Sequence, residues 1–95
     1  MSDPALLVLA SLADGDKHGY AMMEDIRRFA GVRLGPGTLY GAITRLEQQG
    51  LIRPIETPGR RQPYRITVHG RRHLQQAAEI LRHVSTTALR RLRQV

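Results

Sequence analysis

The sequence predicts a mainly α-helical domain carrying a two-stranded β wing, a winged helix-turn-helix, followed by a long C-terminal helix. Three observations predict it. A helix of about four turns is bracketed by Gly35-Pro36 and Gly50, a hairpin pattern fills residues 51–68, and a seven-residue apolar rhythm begins at Leu74. These divide the chain into a winged domain over residues 1–69 and a dimerisation helix over residues 70–95.

Ser2 or Asp3 can cap a first helix, with Pro4 at its first position, that runs to Leu12 or Ala13 before the Asp14-Gly15-Asp16 turn. Leu6, Leu7, Val8, Leu9 and Leu12 surround its axis, so part of this helix is expected to lie against another element or a second chain. A second helix is expected over His18–Phe29, with Met22, Ile26 and Phe29 on one stripe and Met23 and Ala30 beside it. The two methionines read as adaptable core filling. Gly31 ends that helix, and a short turn through Val32-Arg33-Leu34 leads to the third, which makes a helix-turn-helix.

In the third helix Gly35 suits the cap, Pro36 the first helical position and Gly50 the stop. Leu39, Ile43 and Leu46 share the inward face. Gly37, Gly41, Thr44, Arg45 and Gln48 project outward, with Thr38 and Tyr40 on the flanks. Two glycines cost such a helix about 1 kcal/mol each relative to alanine, so something large is expected to approach that face closely. The major groove of DNA fits this demand; a tight helix–helix contact would meet it too.

Leu51–Glu56 and Pro63–Val68 read as paired strands around a Thr57–Gln62 turn, with Tyr64, Ile66 and Val68 on one face and Pro54 and Pro63 implying an edge-like hairpin. A two-stranded ribbon is marginal alone, so it should lie on the helices and expose a tip bearing Arg60 and Arg61. The last helix is expected from Gly70 to Val95. Leu74, Leu81, Ala88 and Val95, interleaved with Ala78, Ser85 and Leu92, form its apolar seam. At about 39 Å it outreaches a core of this size, which points to a symmetry mate.

The chain carries a net charge of +7, distributed unevenly. Residues 1–50 hold five Lys/Arg and six Asp/Glu; residues 51–95 hold ten and two. That basic second half suits a polyanion, most often nucleic acid. Absence of cysteine excludes disulfides and thiolate chemistry and fits a reducing cytoplasm. The longest apolar run, Ala5–Ala10, is far too short to span a membrane, and no secretory signal is visible, so a cytoplasmic protein without membrane partners is expected.

His18-Gly19-Tyr20, then Gly37-Thr38-Leu39-Tyr40 followed by Arg45-Leu46-Glu47 and Gly50-Leu51-Ile52, then Tyr64, Thr67 and Gly70-Arg71 with Leu74, occur in an order and spacing that resembles the PadR family of bacterial transcriptional regulators. The resemblance covers about residues 5–74. It implies a homodimeric DNA-binding repressor released from its operator by a small molecule, in the smaller subtype with a single C-terminal helix. One departure lies in the wing, where relatives commonly have basic residues directly before the tyrosine. Here Arg60-Arg61-Gln62-Pro63 sets the basic pair nearer the tip.

The expected DNA-binding set is Lys17, His18, Gly37, Thr38, Tyr40, Thr44, Arg45, Arg60, Arg61 and Tyr64. Thr38, Tyr40 and Thr44 would face bases or phosphates in the major groove and Arg45 a phosphate. The amides of Gly37 and Thr38 would hold another phosphate. Arg60 and Arg61 would lie at the minor groove or its flanks, and Lys17 and His18 at the backbone. The dimer seam is expected from Leu6, Leu9, Leu74, Ala78, Leu81, Ser85, Ala88 and Leu92. Small-molecule binding is expected at the dimer interface between the first and last helices, where Leu6, Leu9, Val84 and Ala88 supply apolar surface, although a packed seam is the simpler reading.

His69 and His73 stand four apart on one helical face, but nothing beside them completes a metal site, and neither metal nor cofactor is expected. Glu47 suits an ion pair, and no nucleophile, base and orienting group occur at motif spacing, so an enzyme is not expected. Two other readings remain open: a winged-helix protein–protein interaction module without specific DNA binding, and a nonspecific architectural DNA binder.

Overall fold

The computed structural model describes residues 3–94, and within them seven elements follow in order: α1 (Pro4–Leu12), β1 (Lys17–His18), α2 (Gly19–Ala30), α3 (Pro36–Gln48), β2 (Ile52–Pro54), β3 (Pro63–Ile66) and α4 (Val68–Arg93). Ser2 as an alternative cap and Val95 at the end of the apolar rhythm lie outside the described residues. Asp3 caps α1, its carboxylate accepting from the Ala5 amide at 3.0 Å, and Pro4 opens the helix. Gly31 and Gly50 take left-handed backbone, with φ of 67° and 74°, and end α2 and α3.

The core is built around α1. Leu7, Val8, Leu9 and Leu12 are buried with Met22, Ile26, Leu39, Ala42, Ile43, Leu46, Leu51, Ile52 and Ile66. α1 touches α2, α3, α4 and β3, so its own chain covers most of its circumference. Of the two covers expected for α1, another element or a second chain, its own elements supply the first, and the correction falls on Leu9: placed at a dimer seam, it is only 1% exposed. Leu6 is half-buried and remains partly available.

Phe29 is a second correction, standing 50% exposed. It lies on the Met22–Ile26 stripe, but α2 has by then run past the core, and Val32 and Leu34 close that end instead.

The sheet has three strands, ordered β1-β3-β2, all antiparallel. β1 pairs Lys17 with Tyr64 and His18 with Pro63; β2 pairs Ile52 with Ile66 and Pro54 with Tyr64. The expected two-stranded wing is thus bounded by a third, two-residue strand. Pro54 is on an edge, whereas Pro63 opens the central strand. The returning strand also stops earlier than expected. Thr67 leaves the sheet to cap α4, its hydroxyl accepting from the Gly70 amide at 3.0 Å and donating to the Gly50 carbonyl at 2.7 Å. Val68 accordingly begins α4 and is exposed rather than inward-facing, and Gly70 sits in the first turn of the helix.

α4 carries the molecule to a length of 57 Å against 26 and 20 Å across. Leu74 rests against the core, but farther on Ile80, Leu81, Val84, Leu89 and Leu92 are all exposed. No helix among the described residues is long and apolar enough to cross a membrane.

Candidate nucleic-acid interface

Local sequence sets the recognition helix. Gly35 caps α3 without a side-chain hydrogen bond and Pro36 has no amide to satisfy, so the Gly37 and Thr38 amides point outward from the first turn. Leu39, Ala42, Ile43 and Leu46 are buried, which forces Gly37, Thr38, Thr44, Arg45 and Gln48 to the surface. An added Cβ at Gly37 would meet nothing within 4 Å, and one at Gly41 only the Arg45 guanidinium at 3.6 Å. Among the described residues, no other element occupies this face. The Arg45 side chain leans back toward Gly41, following the N-terminal tilt of helical side chains. Thr44 donates its hydroxyl hydrogen to the Tyr40 carbonyl at 2.9 Å, leaving oxygen lone pairs free to accept.

Tyr40 lies across the start of α2. A Cβ on Gly19 would fall 2.7 Å from the Tyr40 ring carbon that bears the hydroxyl, so only glycine fits beneath the ring, and the ring is still 48% exposed. His18, Gly19, Tyr20, Tyr40, Arg60, Arg61 and Gln62 line a cleft of about 380 Å³ between α2, α3 and the wing tip. At the N-terminal end of α2 the His18 Nδ1 lies 3.3 Å from the Ala21 amide, and its Nε2 lies 3.0 Å from the Arg61 guanidinium.

The structure brings His18, Tyr40, Arg60 and Arg61 to one cleft and places Gly37, Thr38, Thr44 and Arg45 on the adjoining helix face. Lys17 is the exception. Its ammonium group turns inward to the Ser11 carbonyl, Asp14 and Asp25, leaving the side chain 18% exposed. Its neighbours across the α1–α2 corner satisfy it, which corrects its placement at the DNA backbone. Tyr64 is also drawn in. It is half-buried at the wing root against the core, and burial, with a smaller push from the Glu47 carboxylate, raises its phenol above the ordinary value. Arg71 donates to the Ala13 carbonyl at 3.1 Å.

Tyr20 and Gln62 are cleft residues that sequence reasoning left out. Tyr20 stood in the His18-Gly19-Tyr20 segment, so a signal was present; Gln62 carried none. The sheet below is locked by Arg65, which donates to both Asp16 oxygens at 3.0 and 2.7 Å.

Away from these residues, Leu6, Leu9, His73, Ala77, Ile80 and Leu81 help line an apolar cleft of about 280 Å³ between α1 and α4. Ala78, Ser85 and Ala88 are exposed farther along the same helix. His69 and His73 are exposed, and no cluster of three or more His, Cys, Asp or Glu suited to a metal occurs among the described residues.

The profile of the transcriptional regulator PadR-like family matches residues 8–76. An uncharacterized 37.1 kDa protein in transposon TN4556 of Streptomyces fradiae is 46% identical over 84 residues, covering 88% of this chain and 24% of that protein. Transcriptional regulator Rv3488 of Mycobacterium tuberculosis is 34% identical over 88 residues, covering 88% of this chain and 80% of that one. A crystal structure of a PadR family transcription regulator from Clostridium difficile superposes with a TM-score of 0.83 at 26% identity, covering 94% of this chain and 97% of the other. This chain spans about a quarter of the length of the Streptomyces relative.

Proposed function

The chain belongs to the PadR-like family of transcriptional regulators, a family of regulators rather than enzymes, and from that premise we propose that it acts as a homodimeric repressor on an inverted-repeat operator in double-stranded DNA, released by a small-molecule effector. The observation that carries this reading is the unoccupied glycine and threonine face of α3 beside the Arg60–Arg61 wing tip. Among the described residues a side chain at Gly37 would meet nothing and one at Gly41 only the Arg45 guanidinium, so these glycines cost helix stability without serving the fold, and backbone there can lie close to base edges.

In this reading Thr38, Tyr40 and Thr44 face the major groove and Arg45 a phosphate, with the first-turn amides of α3 binding another. Arg60 and Arg61 engage phosphates at the adjacent minor groove. A second copy covers Ile80, Leu81, Val84, Ala88 and Leu92 of α4 and sets the two recognition helices about 34 Å apart, one turn of DNA. The apolar cleft between α1 and α4 then lies at the seam, where an effector can wedge between protomers and change that spacing.

The test is titration of the purified protein into fluorescent duplex from upstream of its own gene and into a scrambled duplex, at two salt concentrations. Preference for the upstream duplex with steep salt dependence supports the reading. Equal affinity for both duplexes identifies an architectural binder, and binding to neither leaves the interaction module as the better account.

A further inference from the structure

We propose that His18 is a positioning residue that couples the wing to α2 through a choice its imidazole must make, an inference resting on the reading that the wing tip engages DNA phosphates. Two N–H donors point at this one ring. The Ala21 amide lies 3.3 Å from Nδ1, and the Arg61 guanidinium lies 3.0 Å from Nε2. A neutral imidazole has a single acceptor nitrogen, because the other carries the proton. The two hydrogen bonds therefore exclude one another.

In the free chain Arg61 holds Nε2, since its bond is the shorter of the two and is charge-assisted. The ring proton then resides on Nδ1, facing the Ala21 N–H, and the first turn of α2 lacks its side-chain cap. The other tip hydrogen bonds stay inside the wing: Thr57 donates to the Arg61 carbonyl, and Gln62 to the carbonyls of Ile55 and Pro63. Among the described residues, His18 thus makes the side-chain hydrogen bond that links the tip to the helices. Nearby charged and titratable groups leave the ring to these two donors. Lys17 is turned to Asp14 and Asp25, and Arg60, Tyr20 and Tyr40 share the cleft without a hydrogen bond to the ring among the described residues.

When a backbone phosphate takes Arg61, Nε2 loses its donor. One proton leaves Nδ1 for solvent and one arrives at Nε2 from solvent, so the ring stays neutral, and Nδ1 accepts from Ala21. A cap on α2 replaces the bond to the wing. Engagement of the wing thereby firms the helix on whose first residue the Tyr40 ring rests.

The experiment is long-range ¹⁵N–¹H correlation of the His18 ring nitrogens at about pH 8, where an ordinary histidine is neutral. It compares the free wild-type chain, free Arg61→Ala, and the wild-type chain saturated at low salt with duplex DNA from upstream of its gene. The expected result is the Nδ1–H form in the free wild-type chain and the Nε2–H form in the other two samples, with slower exchange of the Ala21 amide in both. Arg61 is exposed at the wing tip, so its truncation leaves the fold intact. The same tautomer in free wild type and in Arg61→Ala overturns the proposal whether or not DNA binds. A shift in Arg61→Ala with none on a duplex that does bind overturns the coupling to DNA. A duplex that fails to bind counts against the DNA reading, and the two free samples still decide the matter for His18.

Discussion

The Tyr40 ring rests on Gly19, and its position admits no Cβ there. This contact joins the recognition helix to the start of α2 and fixes the phenol at the rim of the cleft beside Arg60 and Arg61. Gly19→Ala therefore has to move the ring. Because Tyr40 is half-exposed, the ring can swing outward, and the fold should lose only about 1 kcal/mol, at the low end for overpacking. DNA affinity should fall by about tenfold, or roughly 1.4 kcal/mol, as the phenol leaves its place. Denaturation and DNA titration on the same preparation separate the two effects. Unchanged affinity would remove Tyr40 from the interface.

Gly41→Ala should do the reverse to stability. The new methyl meets the Arg45 guanidinium at an ordinary contact distance of 3.6 Å and nothing else, so the helix should gain about 1 kcal/mol. That methyl also stands on the face proposed to enter the major groove, and affinity for the operator should drop. A variant that is both more stable and tighter-binding would refute the orientation assigned to α3.

Replacing Arg60 and Arg61 together by alanine should flatten the salt dependence of DNA binding. If each neutralises one phosphate, the slope of log affinity against log salt falls by about 1.8, from the roughly 0.9 per phosphate that B-DNA shows. The titration is run at four or more salt concentrations, roughly between 50 and 200 mM. An unaltered slope would mean the wing tip does not touch the backbone.

How much was legible in the sequence follows from how local each signal is. α3 was readable because its cap, first proline, inward stripe and glycine stop all lie within the helix or next to it. β1 was not. Two residues carry no periodicity, and their partners Pro63 and Tyr64 are far along the chain. Lys17 was misplaced for the same reason: next to His18 it looks like a phosphate ligand, whereas its partners Ser11, Asp14 and Asp25 converge only once α1 and α2 have packed. Leu9 shows the opposite failure. Its helix is apolar all round, which reads equally as an interface or as the centre of a core, and only the placement of α2, α3, α4 and β3 around α1 decides.

The Asp16–Arg65 and Asp14–Lys17 pairs make stability depend on acid. Hydrogen bonding to Arg65 holds the Asp16 carboxyl below the usual range, and Lys17 does the same for Asp14. A carboxylate depressed in the folded chain contributes stability above its unfolded value of about 3.9, and that contribution is lost as pH falls through the lower folded value. Stability should therefore decline below about pH 4. Asp16→Asn should lower stability at neutral pH and make the acid limb shallower. Both pairs are at the surface, so salt at about 0.5 M should weaken the same limb. Urea midpoints between about pH 2 and pH 7 test this, and an acid limb unaltered in Asp16→Asn would place the sensitive groups elsewhere.

The exposed stripe on α4 makes the last prediction. Leu81 and Val84 are 51% and 60% exposed and neither belongs to the buried core, so charging them leaves the winged helix folded. Burying such side chains against a second copy is worth about 1.5–3 kcal/mol for each one fully covered, and a carboxylate forced into the seam would be desolvated without a partner. Leu81→Glu with Val84→Glu should therefore sediment as a folded monomer where the wild-type chain sediments as a dimer. Loss of the second half-site contact should weaken operator binding by at least about a hundredfold, while contact with a single half-site keeps its preference for sequence. A wild-type chain that sediments as a monomer at micromolar concentration, or a double variant that remains dimeric, would count against this seam.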